Sequence, residues 1–115
     1  MIDPELKKTI QNLKAAGRNN GLAIWKAIAN ELDKPKRLRT IVNLSRINRY
    51  TKAGDVVAIP GKVLSAGSLR HPVTVAAFAF SKVAKQKVTL AKGRALSLTE
   101  LIDERIEPSR IKIMK

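Results

Sequence analysis

The stretch Val73-Thr74-Val75-Ala76-Ala77-Phe78-Ala79-Phe80 decides the fold class. It is eight residues long, apolar on both alternating faces, β-branched at its start and aromatic at its end. A short run of that kind fits a strand buried on both sides, and so a central one. The residues that follow change period. Ser81 is a suitable helix N-cap, and Val83, Ala84, Val88 and Ala91 predict a helix that ends at Gly93. Ala95-Leu96 reads as a short strand. Ser97-Leu98-Thr99-Glu100 has capping-box spacing and opens a helix that packs Leu98, Leu101 and Ile102. After Pro108, Ile111-Lys112-Ile113 reads as a final edge strand.

Upstream of the central stretch, Val56 to Ile59 is a short buried strand. It is broken by Pro60-Gly61 and continued by Lys62-Val63-Leu64, with turns at Lys52–Asp55 and Ser65–Ser68. Residues 41–47, Ile-Val-Asn-Leu-Ser-Arg-Ile, alternate imperfectly and are expected to be β-like. Earlier still the pattern is helical. Asp3-Pro4 forms an N-cap with proline at the first helical position. Leu6, Ile10 and Leu13 form an apolar stripe, and Gly17 is the expected stop within the turn cluster Gly17–Gly21. A second helix is expected from Leu22 to Asp33, ended by Pro35, with Leu22, Trp25, Ile28 and Leu32 on one face. Two short amphipathic helices joined by a tight turn suggest an antiparallel hairpin. A DNA-reading helix-turn-helix is the competing interpretation. It fits poorly because the second helix sets Lys26 against Glu31 and Asp33. The reading is a mixed α/β fold: residues 1–39 form a helical extension with a basic connector, and residues 40–115 form the α/β core.

Charge narrows the function. The chain has 115 residues and a net charge of +14. Residues 1–33 hold five bases and four acids, and residues 100–115 hold four of each. Residues 34–99 carry 14 Lys or Arg against Asp55 alone. Like charges on a small domain repel one another, and a polyanion removes that penalty while releasing its own counterions. A basic surface kept for solubility, or for anionic membranes, is the plainer alternative. No apolar run approaches the roughly 20 residues of a membrane span, and Met1 to Lys8 lack the apolar core of a secretory signal. The chain is therefore expected to be soluble and cytoplasmic, with no membrane partner. With no cysteine, disulfides and thiolate metal sites are excluded.

The residues that could support catalysis are few. His71 is the only histidine, so sites needing two imidazoles are excluded within one chain, and a structural or phosphate-contacting role is expected for it. Glu100, Asp103, Glu104 and Glu107 spread over a helix and read as a solvated face offset by Arg105 rather than a metal site. Asp55 is expected to cap its loop or pair with a neighbouring arginine. Pro60-Gly61-Lys62 fails the phosphate-loop pattern, because Val56 stands where glycine is needed and Val63 where Ser or Thr is needed. The aromatic residues are Trp25, Tyr50, Phe78 and Phe80. The two phenylalanines share one strand face and are expected to be core rather than a stacking platform. What remains is a series of phosphate- and 2′-hydroxyl-contacting groups from Arg39 to Lys52, among them Asn43, Ser45, Asn48 and Tyr50.

Val42-Asn43-Leu44-Ser45-Arg46-Ile47 with Arg49, then Gly54-Asp55-Val56-Val57-Ala58-Ile59-Pro60-Gly61-Lys62-Val63-Leu64, resembles the archaeal eighteen-e branch of the eighteen-e/fifteen family of large-subunit ribosomal proteins. Pro72 to Phe78 with Phe80-Ser81, the capped helix at Leu98–Leu101 and the strand after Pro108 fit as well, so the likeness covers about residues 3–115. The resemblance implies an α/β domain of irregular β-β-α turns with a helical N-terminal extension, binding to large-subunit ribosomal RNA, and no catalysis. One departure stands out: Lys92-Gly93 occupies the place where the family usually has paired glycines.

The expected function is a structural constituent of the large ribosomal subunit that binds its RNA and neighbours other large-subunit proteins. It uses no cofactor, metal or small-molecule substrate. An archaeal chromatin-type or general nucleic-acid binder is the alternative, and an RNA-processing enzyme ranks third. The expected RNA contacts are Lys34, Lys36, Arg37 and Arg39 in the connector, then Arg46, Arg49 and Lys52, flanked by Lys62 and Arg70. All are expected in turns or a polar strand. Lys82, Lys85 and Lys92 form a competing helical stripe.

Overall fold

The computed structural model describes residues 3–20, 23–35 and 38–115. The helices are α1 (Pro4–Asn20), α2 (Ala23–Leu32), α3 (Leu44–Tyr50), α4 (Lys82–Leu90) and α5 (Leu98–Asp103). The strands are β1 (Thr40–Asn43), β2 (Val56–Leu64), β3 (Thr74–Phe80), β4 (Arg94–Ser97) and β5 (Ile111–Ile113). All strand pairings are parallel, in the order β1-β2-β3-β4. The edge of β2 away from β3 is shared: β5 pairs with Val56–Ala58, and β1 pairs with Gly61–Leu64.

Alternate residues of the two inner strands feed opposite hydrophobic layers, as the two-residue period of a strand requires. Val56, Ala58 and Ala76 face α1, α2 and α5, packing with Leu13, Trp25, Ile28, Leu98 and Leu101. Val57, Ile59, Val75 and Ala77 face α3 and α4, packing with Leu44, Ile47, Ala84 and Val88. The central strand is thus buried on both sides, as read from its sequence. The layering follows from chain direction. Steps from β1 to β2 and from β3 to β4 run one way across the sheet, and the step from β4 to β5 runs back. Right-handed crossovers then place α3 and α4 on one face and α5 on the other. The β2–β3 connection has no helix. It crosses the α3/α4 face as a loop whose Leu69 is buried there.

Several local expectations are corrected. α1 does not stop at Gly17 but continues to Asn20. A glycine costs about 1 kcal/mol in a helix, and here Ala16 and Gly17 lie on the buried side of the helix. The β-like reading of residues 41–47 holds only through Asn43. Leu44 and Ile47 are both fully buried and three apart, so α3 turns them inward at helical spacing. Arg46 and Arg49 therefore stand on a helix, not on a polar strand. β2 runs through Pro60-Gly61 instead of breaking, with a register shift against β3. Gly61 is required there because a Cβ would overlap the Thr40 carbonyl on β1. Between the pairs Ile59↔Ala77 and Val63↔Phe80, β2 advances four residues and β3 only three. Phe78 and Phe80 consequently part: Phe78 packs on the α1/α2/α5 side and Phe80 on the α3/α4 side, both half-buried.

Candidate nucleic-acid interface

The α3/α4 face is built from three chain segments that lock together. The Asn43 side chain at the start of α3 accepts from the Ala66 backbone N–H (3.2 Å), and Ser45 N–H donates to the Ala66 carbonyl (3.0 Å). Further along α3, Asn48 Oδ1 accepts from Arg70 N–H (2.9 Å). From α4, Lys87 Nζ donates to the carbonyls of Ser65 (2.9 Å) and Gly67 (3.0 Å). Gly67 (φ +87°) lies so close to α3 that a Cβ would sit 2.5 Å from Ser45 Cβ. His71 joins the same seam. Its Nε2 lies 2.8 Å from Thr51 Oγ1, whose hydroxyl proton goes to the Ile47 carbonyl (2.6 Å). Since that hydroxyl has one proton, the imidazole nitrogen must be the donor between them. His71 is thus a structural strut between the loop and the end of α3.

The charge on this layer is one-signed. Residues 44–50, 65–73 and 81–93 hold Arg46, Arg49, Arg70, Lys82, Lys85, Lys87 and Lys92, with no Asp or Glu. On the opposite face, α1, α2 and α5 hold five bases and four acids. The structure therefore brings Arg46, Arg49 and Arg70 together with the lysines of α4 that the sequence offered as a competing stripe. Tyr50, 59% exposed, lies on this layer too, with the Arg49 guanidinium 5.7 Å from its ring centroid. A cation at that distance is held by the ring quadrupole. Arg46 also donates from one guanidinium nitrogen to the Lys115 carbonyl (2.8 Å), which ties one side of its fork while leaving the residue exposed.

The other expected contacts lie elsewhere. Lys34 is ion-paired with Glu31 (2.8 Å), which also binds Lys115 (2.9 Å). The Glu31 carboxyl is held below its usual range first by the hydrogen bond from Lys34, then by that from Lys115. Arg39 Nε donates back to the Lys34 carbonyl (3.1 Å). Lys62 pairs in register with Ile41, and both are exposed. Its neighbour Val63 faces the α3/α4 core, so Lys62 points the other way. Lys52 is exposed in the turn before β2. Lys36 and Arg37 lie outside the described residues.

Asp55 caps its loop as expected, accepting from Lys52 N–H (3.0 Å), but its charged partner is Lys112 of β5 (2.9 Å) rather than an arginine. The Lys112 hydrogen bond, then the Lys52 N–H, holds its carboxyl below the usual range. Glu104 is offset by Arg94, not Arg105, and that hydrogen bond lowers its pKa. Glu100 completes the capping box with Ser97. No group of three or more potential metal ligands occurs among the described residues, and no described helix is long and apolar enough to cross a membrane.

A basic layer whose three segments hold no acid, tied together by hydrogen bonds and backed by a two-sided aliphatic core, is the surface of a structural protein suited to polyanions. The family described as "Ribosomal proteins 50S-L15, 50S-L18e, 60S-L27A" matches residues 20–96. The chain is similar to the large ribosomal subunit protein eL18 of Methanococcus maripaludis, 46% identical over 97% of this chain and 93% of that protein. The protein of the same name from Sulfolobus acidocaldarius is 46% identical over 86% of this chain and 80% of its own length. That from Methanothermobacter thermautotrophicus is 41% identical over 98% and 93%. The chain belongs to this family of ribosomal proteins, as the resemblance had implied.

Proposed function

We propose that the α3/loop/α4 layer is the surface by which this chain, a structural constituent of the large ribosomal subunit, holds folded ribosomal RNA. Family membership makes it a non-enzymatic component of the cytoplasmic ribosome and lends the chromatin-type alternative no support. The single observation that carries the RNA surface is the charge asymmetry of the two faces: seven bases without an acid on one, near balance on the other. Arg46, Arg49 and Arg70 supply planar forks suited to phosphate oxygens, and Tyr50 adds the one strongly exposed aromatic ring of the described residues. Lys82 and Lys85 extend the phosphate track along α4. Lys87 is committed to loop carbonyls and acts by holding the surface in shape.

The test compares triple alanine variants against fragments of large-subunit RNA. Replacing Arg46, Arg49 and Arg70 should weaken binding most and reduce the salt slope of log K by about 0.7–0.9 per lost phosphate contact. Replacing Lys82, Lys85 and Lys92 should weaken it measurably. Replacing Lys7, Lys8 and Lys14 on α1 should have little effect. Equal loss from the α1 set would reject the face assignment, and equal competition by plain duplex DNA would reject RNA-shape recognition.

A further inference from the structure

Of the four aromatic side chains, Trp25 is buried, Phe78 and Phe80 are half-buried against the two core layers, and Tyr50 stands in solvent at 59% exposure. Helix geometry puts it there. α3 turns Leu44 and Ile47 into the core, and Arg46, Arg49 and Tyr50 are all exposed on its outer side. Arg46 and Tyr50 are four residues apart and so are neighbours on that surface. The Arg49 guanidinium lies over the ring, 5.7 Å from its centroid. That is near enough for attraction and too far to close over the ring. Val83 and Leu90, the exposed apolar side chains of α4, are aliphatic and offer no ring face.

The ring is held at both flanks. Thr51, directly after it, donates its hydroxyl to the Ile47 carbonyl (2.6 Å) and meets His71 Nε2 (2.8 Å). Asn48, two residues before it, accepts from Arg70 N–H (2.9 Å). The end of α3 that carries Tyr50 is thereby tied to the loop after β2. A tyrosine has two side-chain rotors, so fixing it on a partner costs little entropy. The segments of this layer hold Arg46, Arg49 and Arg70 and no acid. A preorganised ring in that setting suits a ligand that is both polyanionic and planar. RNA is both, but only where a base leaves its helix. Paired bases are already stacked above and below, at the bottom of a deep, narrow major groove that side chains cannot read.

We propose that Tyr50 stacks on an unpaired base of the ribosomal RNA, a bulged or loop nucleotide turned out of its helix, while the arginines of α3 hold the phosphates beside it. This deepens the RNA-surface reading and rests on it. Phosphate contacts position a protein but carry no information on the base. Every base has a π-face, so Tyr50 registers that a base is unpaired rather than which base it is. The ring thus gives the layer a selectivity for irregular RNA that its charges lack.

The experiment measures affinity over a salt series for two probes: a large-subunit RNA fragment with internal loops, and a fully paired RNA duplex of the same length. Tyr50→Phe keeps the ring face and should bind the fragment within about twofold of the parent. Tyr50→Leu keeps apolar bulk without a plane and should lose about tenfold. Its salt slope of log K should stay unchanged, because no phosphate contact has gone. On the duplex both variants should match the parent, and both should keep its circular dichroism, since the side chain is exposed. A slope reduced by about 0.7–0.9 in Tyr50→Leu would mean that the ring only positions Arg49, and would overturn the proposal. Equal loss in Tyr50→Phe, or equal loss on the duplex, would overturn it too. The underlying reading fails in a different way. Full affinity for the fragment after replacing Arg46, Arg49 and Arg70 rejects the layer, and the stacking with it. Lost affinity in that variant with parental binding by Tyr50→Leu keeps the layer and rejects the stacking alone.

Discussion

Lys92 holds a backbone φ of +64°, and Gly93 beside it lies where a Cβ would overlap the Val73 carbonyl oxygen. The two positions thus favour glycine for different reasons, conformation at one and close approach at the other. Lys92-Gly93 keeps the turn at the expense of strain in Lys92. A left-handed residue with a side chain is disfavoured by about 1–2 kcal/mol, part of which a glycine returns through unfolded-chain entropy. Lys92→Gly should therefore be neutral to about 1 kcal/mol stabilising in urea melts, and Gly93→Ala should cost about 2 kcal/mol or more by displacing the Val73 backbone. Asp55 supports a second prediction. Its folded pKa lies below the unfolded one, so the unfolded state binds the extra proton and stability rises with pH across that window. The contribution is complete above the ordinary carboxylate range and is lost as pH falls through the lower folded value. Asp55→Asn should flatten the acid limb of a stability-versus-pH curve and leave a deficit near neutrality. A variant curve parallel to the parent would contradict the Lys112 and Lys52 contacts as its cause.

Among the elements, α3 and the loop after β2 act as one unit. α3 has seven residues, too few to persist alone, and it is held by Leu44 and Ile47 in the core and by Asn43, Ser45 and Asn48 reaching into the loop. Asn43→Ala removes the acceptor of Ala66 N–H. A loss of about 1 kcal/mol is expected from one such hydrogen bond. If the loop positions Arg70 for RNA, affinity should also fall several-fold under conditions where the variant remains fully folded by circular dichroism. Full affinity in a destabilised but folded Asn43→Ala protein would mean that the loop geometry does not matter for binding.

At the scale of the whole molecule, net charge opposes compactness. Four ion pairs occur among the described residues, all with substantially exposed Lys or Arg partners, and exposed pairs contribute about 0–1 kcal/mol each. The self-repulsion of +14 acts on the whole chain. Added salt screens both, and repulsion is the larger, so the calorimetric Tm of the free protein should rise with moderate salt and rise further with an RNA ligand. A Tm that falls monotonically with salt would show that the attractive pairs dominate.

The sequence by itself determined the mixed α/β class, the doubly buried β3, the caps at Ser81 and Ser97, the terminal strand and the strongly basic middle of the chain. These are signals of period, spacing and composition, carried by neighbouring residues. It misread α3 because Val42, Leu44 and Ile47 satisfy an alternating start and a helical finish equally well. Only the packing of Leu44 and Ile47 under the Ser65–Val73 loop resolves the two. It likewise paired Phe78 with Phe80, since a register shift against β2 has no local signature. Above all, tertiary structure decided the grouping of charges. Crossover handedness placed α3, α4 and the intervening loop on one face, merging two basic sets that sequence order kept apart, while strand alternation turned Lys62 away and Glu31 engaged Lys34. That choice belongs to sheet topology, because which bases share a surface depends on which way the chain crosses the sheet and not on their separation along it.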